Sequence, residues 1–208
     1  MAAKLKTLPH EIKQIAGALR RGYLVIFPTE TVYALAADGL DAGAKRRIYL
    51  AKGRAFDKPL QLLLPDAALI ARYIDRRSLK KPLHRLAKRL WPGPLTVVFK
   101  ANALGRRLSG GPTIGIRVPD HALARTILRL CKRPVLATSA NRSGGPEPVR
   151  LRDIPAMVKK AAKYIAVEPE QIRRRNPSTV LDASVSPPRI LREGAITQQK
   201  IERLLNRQ

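Results

Sequence analysis

The run Tyr23-Leu-Val-Ile-Phe27, followed at once by Pro28-Thr29-Glu30-Thr31-Val32-Tyr33, decides how the chain reads. Five apolar residues without a charge predict a short buried strand, and the Pro- and hydroxyl-rich hexapeptide leaves it as a loop. Upstream, Pro9 to Arg21 places Ile12, Ile15, Ala16 and Leu19 on one helical face, with Gly22 as its stop. Downstream the pattern recurs. Asp41 caps a helix to about Ala51, Leu60–Leu64 reads as a buried strand, and Asp66 caps a further helix. A helix over Leu79–Leu90 ends at the breaker Trp91-Pro-Gly-Pro94. Strands are expected at Leu95–Phe99, Thr113–Val118, Pro134–Thr138, Tyr164–Val167, Ser178–Asp182 and Arg189–Arg192. Helices are expected over Asp120–Leu130, Ile154–Lys163 and Ile196–Leu205.

Strands alternating with helices imply an α/β protein whose sheet is covered by helices. Strand order and direction stay open at this level. Neither an internal repeat nor a dividing linker is visible, so residues 1–208 read as one domain.

Composition narrows the class. The 208 residues hold 41 Lys+Arg against 15 Asp+Glu, a formal net charge of +26. Residues 1–104 have 20 basic and 7 acidic side chains and residues 105–208 have 21 and 8, so each half carries +13. This is a cationic body rather than a basic tail, which suits either non-specific attraction of polyanions or solubility alone. The 4% aromatic content argues against a base-stacking platform. One cysteine, Cys131, excludes a disulfide framework and a multi-cysteine zinc site. The first ten residues lack the apolar run of a signal peptide, and no stretch reads as a membrane span. A cytoplasmic protein is expected.

The chemistry-bearing residues cluster in loops after strands. Thr29, Glu30 and Thr31 can hold a small polar substrate or form a capping turn. Lys52-Gly53-Arg54, with Lys58 close behind, sets cations around one turn, which suits a polyphosphate or plain basic surface. Arg117 lies in the apolar strand Thr113-Ile-Gly-Ile-Arg117, where it needs an internal salt bridge or a bound carboxylate. Ser139-Ala-Asn141 ends a strand and opens the glycine-rich loop 142–148, an anion cradle or a polar turn. It is not a P-loop, for the Gly-Lys-Ser/Thr ending is absent. Ser178 and Arg192 flank two further strand ends.

Jointly, PTETVY (28–33), KGR (52–54), WPGPLT (91–96), TIGIRVP (113–119), SAN (139–141), PSTV (177–180) and LREGAI (191–196) resemble the YrdC/TsaC family of threonylcarbamoyl-AMP synthases. The pieces stand in the family's order and spacing from about Ile12 to Ile196. The resemblance implies a twisted, largely mixed sheet flanked by helices, with a large concave basic cavity. It implies a nucleotidyltransferase that makes threonylcarbamoyl-AMP and pyrophosphate from L-threonine, bicarbonate and ATP, with magnesium. The product would feed threonylcarbamoyladenosine synthesis at position 37 of tRNA, through a downstream transferase.

By motif position the resemblance gives Thr31, Arg117 and Ser178 to threonine. It gives Lys52, Arg54, Lys58, Thr113, Ser139, Asn141 and Arg192 to ATP, with Lys52, Arg54, Ser139 and Asn141 as the catalytic set. Asn141 is also the candidate contact for magnesium, which otherwise arrives with ATP. Two positions depart from the family pattern: Ala34 follows the motif tyrosine where glycine is usual, and Leu62–Leu64 offer no polar group where many members carry histidine, at Leu63. The alternative is a non-catalytic relative that binds double-stranded RNA, tRNA or the ribosome. The intact Ser139-Ala-Asn141 argues against it.

Overall fold

A computed structural model describes residues 9–167, 172 and 176–206; the reading of the first eight residues lies outside them. Seven helices and nine strands are present among the described residues. The helices are α1 (Pro9–Arg20), α2 (Ala42–Lys52), α3 (Lys81–Leu90), α4 (Ala103–Ser109), α5 (Ala122–Cys131), α6 (Ala156–Ala161) and α7 (Gln198–Asn206). The strands are β1 (Val25–Pro28), β2 (Tyr33–Asp38), β3 (Gln61–Leu63), β4 (Leu95–Lys100), β5 (Thr113–Arg117), β6 (Val135–Ser139), β7 (Tyr164–Ile165), β8 (Thr179–Asp182) and β9 (Arg189–Arg192). They form one mixed sheet in the order β7-β1-β2-β6-β3-β5-β4-β8-β9. The pairs β1/β7, β3/β5 and β4/β8 are parallel; the other neighbours are antiparallel.

The expected α/β class with a mixed sheet is therefore present. Three local expectations differ. The loop over 28–33 is followed by β2, where Ala34, Leu35, Ala36 and Ala37 are buried on both faces. A run of small residues gives no alternation to read. The helix expected after Asp66 is two 3₁₀ turns, Ala67–Arg72 and Arg76–Ser78, each opened by an aspartate cap. Helix α4 was not expected; Asn102 opens it by accepting from the Gly105 amide at 2.9 Å.

The two faces of the sheet are covered unequally, and this creates the site. On one face Ile26, Leu35, Leu62, Val97, Ile114, Ile116 and Leu136 form a core with Ile48 of α2, Leu83 and Leu86 of α3, Leu108 of α4, Val158 of α6 and Ile201 of α7. On the other, Ile15 and Leu19 of α1 and Leu123, Ile127 and Leu128 of α5 roof Val25, Phe27, Ala34, Ala36, Leu63, Val135 and Ala137. Burying each such large aliphatic side chain contributes roughly 1.5–3 kcal/mol. That roof stops at β3. Beyond it, the same face of β5, β4 and β8 borders a cavity.

Candidate active site

The cavity holds about 430 Å³ and is bordered by Lys52, Arg54, Gln61, Thr96, Thr113, Gly115, Arg117, Ser139, Asn141, Glu147, Ser178 and Arg192, among others. Four of these are cations and one, Glu147, is a carboxylate. Such a lining favours anionic ligands. Of the residues expected from the sequence, Thr31 and Lys58 are not in the lining.

Local folding explains the Lys-Gly-Arg turn. Asp41 caps α2 by accepting from the Ala44 amide at 2.9 Å. The helix ends at Gly53, whose φ of 57° is left-handed and suits glycine. The Arg54 amide then closes onto Tyr49 O at 2.9 Å, so the chain reverses with Lys52 on the inside. Lys52 is only 2% exposed. Its Nζ donates to Ser139 O, to Asn141 O at 2.6 Å and to Asn141 Oδ1 at 2.8 Å. An ammonium has three protons, and all three are used. Burial, reinforced by the neighbouring Arg54, lowers the Lys52 pKa to about 8, while Glu147 opposes the drop. Arg54 donates through Nη2 to Pro59 O at 3.0 Å, and burial lowers its pKa.

Ser139-Ala-Asn141 is tied from both sides. Ser139 Oγ donates to Asn141 Oδ1 at 2.7 Å, Asn141 Nδ2 donates to Gly145 O, and the Ser143 amide donates to Lys52 O at 2.9 Å. Asn141 Oδ1 thus accepts from two donors, which fills its two lone pairs. That oxygen does not fit a metal ligand in this arrangement. No group of three His, Cys, Asp or Glu suited to a metal occurs among the described residues.

The first motif forms the floor beneath Arg117. Thr29 Oγ1 donates to Val32 O at 2.7 Å and folds the loop on itself. Arg117 Nη2 donates to Thr31 Oγ1 at 2.8 Å and stands 2.9 Å from Glu30 Oε1. Arg117 is 2% exposed and Glu30 4%. The charges touch, but no N–H is aimed at either Glu30 oxygen, and Arg117 Nε has no hydrogen-bond acceptor. Arg117 forms the internal salt bridge and also borders the cavity.

At the far wall, Thr96 Oγ1 donates to Gln61 Oε1 at 3.0 Å and meets Ser178 Oγ at 3.0 Å. Arg192 donates through Nη2 to Ser178 O at 2.9 Å and approaches Glu147 Oε1 at 3.4 Å. Thr179 Oγ1 accepts from the amides of Gly194 and Ile196 at 3.0 Å each, which binds PSTV to LREGAI. Gly194 is required there, since a Cβ would stand 2.3 Å from Pro177 O. Sequence reading did not single out Gln61, Thr96 or Glu147 as site residues. The one signal for Gln61 was a polar residue inside the apolar run Leu60–Leu64. Leu63 is buried beneath the α1–α5 roof with Ala34, so both departures from the family pattern lie in one apolar cluster.

Comparison with known proteins gives consistent results. The threonylcarbamoyl-AMP synthase of Pyrococcus abyssi is 37% identical over 197 residues, covering 94% of this chain and 57% of the relative. That of Bacillus subtilis is 36% identical, covering 97% of this chain and 58% of the relative. This chain thus spans a little over half the length of these two relatives. The crystal structure of Pyrococcus abyssi Sua5 in complex with L-threonine superposes with a TM-score of 0.87 at 36% identity, covering 95% of this chain and 58% of that one. A Sua5/YciO/YrdC family model, described as "Telomere recombination", matches residues 17–194. With that span matched, the chain belongs to the Sua5/YciO/YrdC family.

Proposed function

We propose that the protein is a threonylcarbamoyl-AMP synthase. The observation that carries this reading is the Lys52 ammonium locking Ser139 and Asn141 onto the Lys-Gly-Arg turn, at one side of a cationic cavity with Arg117 on its floor. The names of the relatives and the L-threonine complex support it.

The chemistry explains the residue types. The amine of threonine attacks the carbon of bicarbonate, water leaves, and a carbamate forms. A carbamate oxygen then attacks the α-phosphorus of ATP, and the bond to pyrophosphate breaks. Nucleophile and electrophile are both supplied by substrates, so the protein's task is to gather anions and hold them in line. Arg54, Arg192, Thr113 and Ser139 contact ATP, and fixed cations offset the charge that builds on the phosphates. Lys52 and Asn141 contribute by fixing the Ser139 loop, and Lys58 approaches the phosphates from the rim. Arg117, oriented by Glu30 and Thr31, takes the threonine carboxylate, with Ser178 opposite. Magnesium enters on the ATP phosphates as part of the substrate. The product passes to a transferase acting on tRNA.

The test is pyrophosphate release from ATP by the purified protein. Release that requires both L-threonine and bicarbonate is expected. Release independent of either one overturns the assignment.

A further inference from the structure

We propose that Gln61 is a substrate-positioning residue, its side-chain amide holding the carbamate derived from bicarbonate between threonine's carboxylate and the α-phosphate of ATP. The inference rests on the synthase reading above and adds a residue and a subsite to it.

The argument starts from proton direction along the far wall. A threonine hydroxyl has one proton, and that of Thr96 is donated to Gln61 Oε1 at 3.0 Å. In the 3.0 Å contact between Thr96 and Ser178, Ser178 must then be the donor. Ser178 Oγ, its proton spent, accepts from Arg192 Nη2 at 3.4 Å. The row therefore runs one way, from the Arg192 cation through Ser178 and Thr96 to the Gln61 carbonyl. This fixes the Gln61 amide with its oxygen inward. The amide nitrogen, a donor only, has no protein acceptor among the described residues, and Gln61 borders the cavity. A donor-only terminus fed from a cation matches an anionic acceptor.

Position selects which anion. β5 lies between β3 and β4. Leu62 stands opposite Ile116, so Gln61 lies beside Gly115, and its side chain reaches Thr96 on β4. On this face of β5 the order is Arg117, Gly115, Thr113, in steps of about 6.6–6.8 Å. Arg117 takes the amino-acid carboxylate and Thr113 faces ATP. The group that must sit between them is the carbamate. Gly115 leaves the space for it: a Cβ there would meet only Thr96 Cγ2 at 3.5 Å and Val98 Cγ2 at 3.8 Å, ordinary contact distances. The protein itself therefore tolerates a methyl at Gly115, whereas a ligand seated there does not.

Steady-state pyrophosphate release is measured for the wild type and for Gln61→Glu, Thr96→Val and Gly115→Ala, with threonine and ATP affinities determined separately by calorimetry in bicarbonate-depleted buffer. Gln61→Glu keeps the shape and the acceptor for Thr96 but replaces the donor with an anion. It is expected to raise the KM for bicarbonate about tenfold or more, the loss of one hydrogen bond to a charged group. Threonine and ATP affinities stay within twofold. Thr96→Val frees the amide and gives a smaller rise in the same parameter. Gly115→Ala folds with an unchanged melting temperature and loses turnover. An unchanged bicarbonate KM in Gln61→Glu, or a rise matched by an equal loss of threonine affinity, overturns the inference. A wild type whose pyrophosphate release ignores bicarbonate instead overturns the synthase reading itself.

Discussion

Lys52 and Asn141, separated by 89 positions in the chain, are joined twice: the ammonium donates to the Asn141 carbonyl at 2.6 Å and to its side-chain oxygen at 2.8 Å. With the bond to Ser139 O, the turn at the end of α2 and the loop after β6 become one rigid unit.

Removing that ammonium tests the unit. Lys52→Ala takes the ammonium from the Ser139 and Asn141 carbonyls and leaves Asn141 Oδ1 with the Ser139 hydroxyl alone, a loss of about 1–3 kcal/mol in total if the loop relaxes to admit water. A fall of roughly 2–10 °C in Tm follows for a chain of this size. The KM for ATP is expected to rise at least tenfold, because Ser139 is no longer held. Thermal melting and ATP titration check this, and unchanged ATP binding would remove the role.

The pH dependence follows from the Lys52 pKa of about 8. Below pH 8 the ammonium is intact and the loop is closed. Above it, the charge and one donor are lost, so ATP affinity is expected to fall as pH rises through 8. Stability moves the other way. The folded state releases this proton more readily than the unfolded chain, so the Lys52 contribution to folding improves as pH rises from about 8 toward the ordinary lysine value of 10.5. A KM profile for ATP and denaturant melts across pH 7–10, wild type against Lys52→Ala, separate the two.

The Glu30–Arg117 pair predicts a non-additive cycle. Glu30→Gln leaves a buried cation unpaired and is expected to cost about 3–5 kcal/mol. Arg117→Met with Glu30→Gln, which removes both charges, is expected to recover most of that loss while abolishing threonine binding. Urea melts of the two singles and the double provide the coupling energy, and simple additivity would show that the contact is electrostatically idle.

Arg54 separates binding from stability. It is partly exposed and donates to two carbonyls, Pro59 O at 3.0 Å and Lys58 O at 3.4 Å. Arg54→Ala is expected to change stability by less than about 1 kcal/mol and to weaken ATP at least tenfold. Full turnover at low ATP would exclude Arg54 from the phosphate site.

The even +26 charge predicts tRNA association that weakens steeply with salt. Filter binding at several salt concentrations gives the slope, and a flat line would assign the excess charge to surface composition alone.

Much of the fold could be read from local signals, because those signals are local in cause. The Asp41 cap and the stop at Gly53 follow from hydrogen bonds within one turn. β2 could not be read, since Ala34-Leu-Ala-Ala37 has neither periodicity nor branched side chains. The site was legible as a set of motifs but not as a geometry. Nothing in Lys52-Gly-Arg54 shows that the lysine is spent on carbonyls 87 and 89 residues away. Likewise Arg117 needs a partner on any reading, yet only the tertiary fold brings Glu30, in the loop between β1 and β2, to it. Gln61 was overlooked because a single polar residue in a short strand usually faces water; here it faces the cavity.

The roof that stops at β3 has a consequence for how such a protein can change over time. Gln61, Thr96, Val98, Thr113 and Gly115 are rooted in strands whose opposite face is the core, but their own side chains border the cavity rather than the α1–α5 cluster. Substitutions there alter what the molecule recognises while leaving most of its folding energy intact. The open half of the sheet is thus the portion of the fold most free to explore new ligands, and the roofed half supplies the stability reserve that makes such exploration survivable.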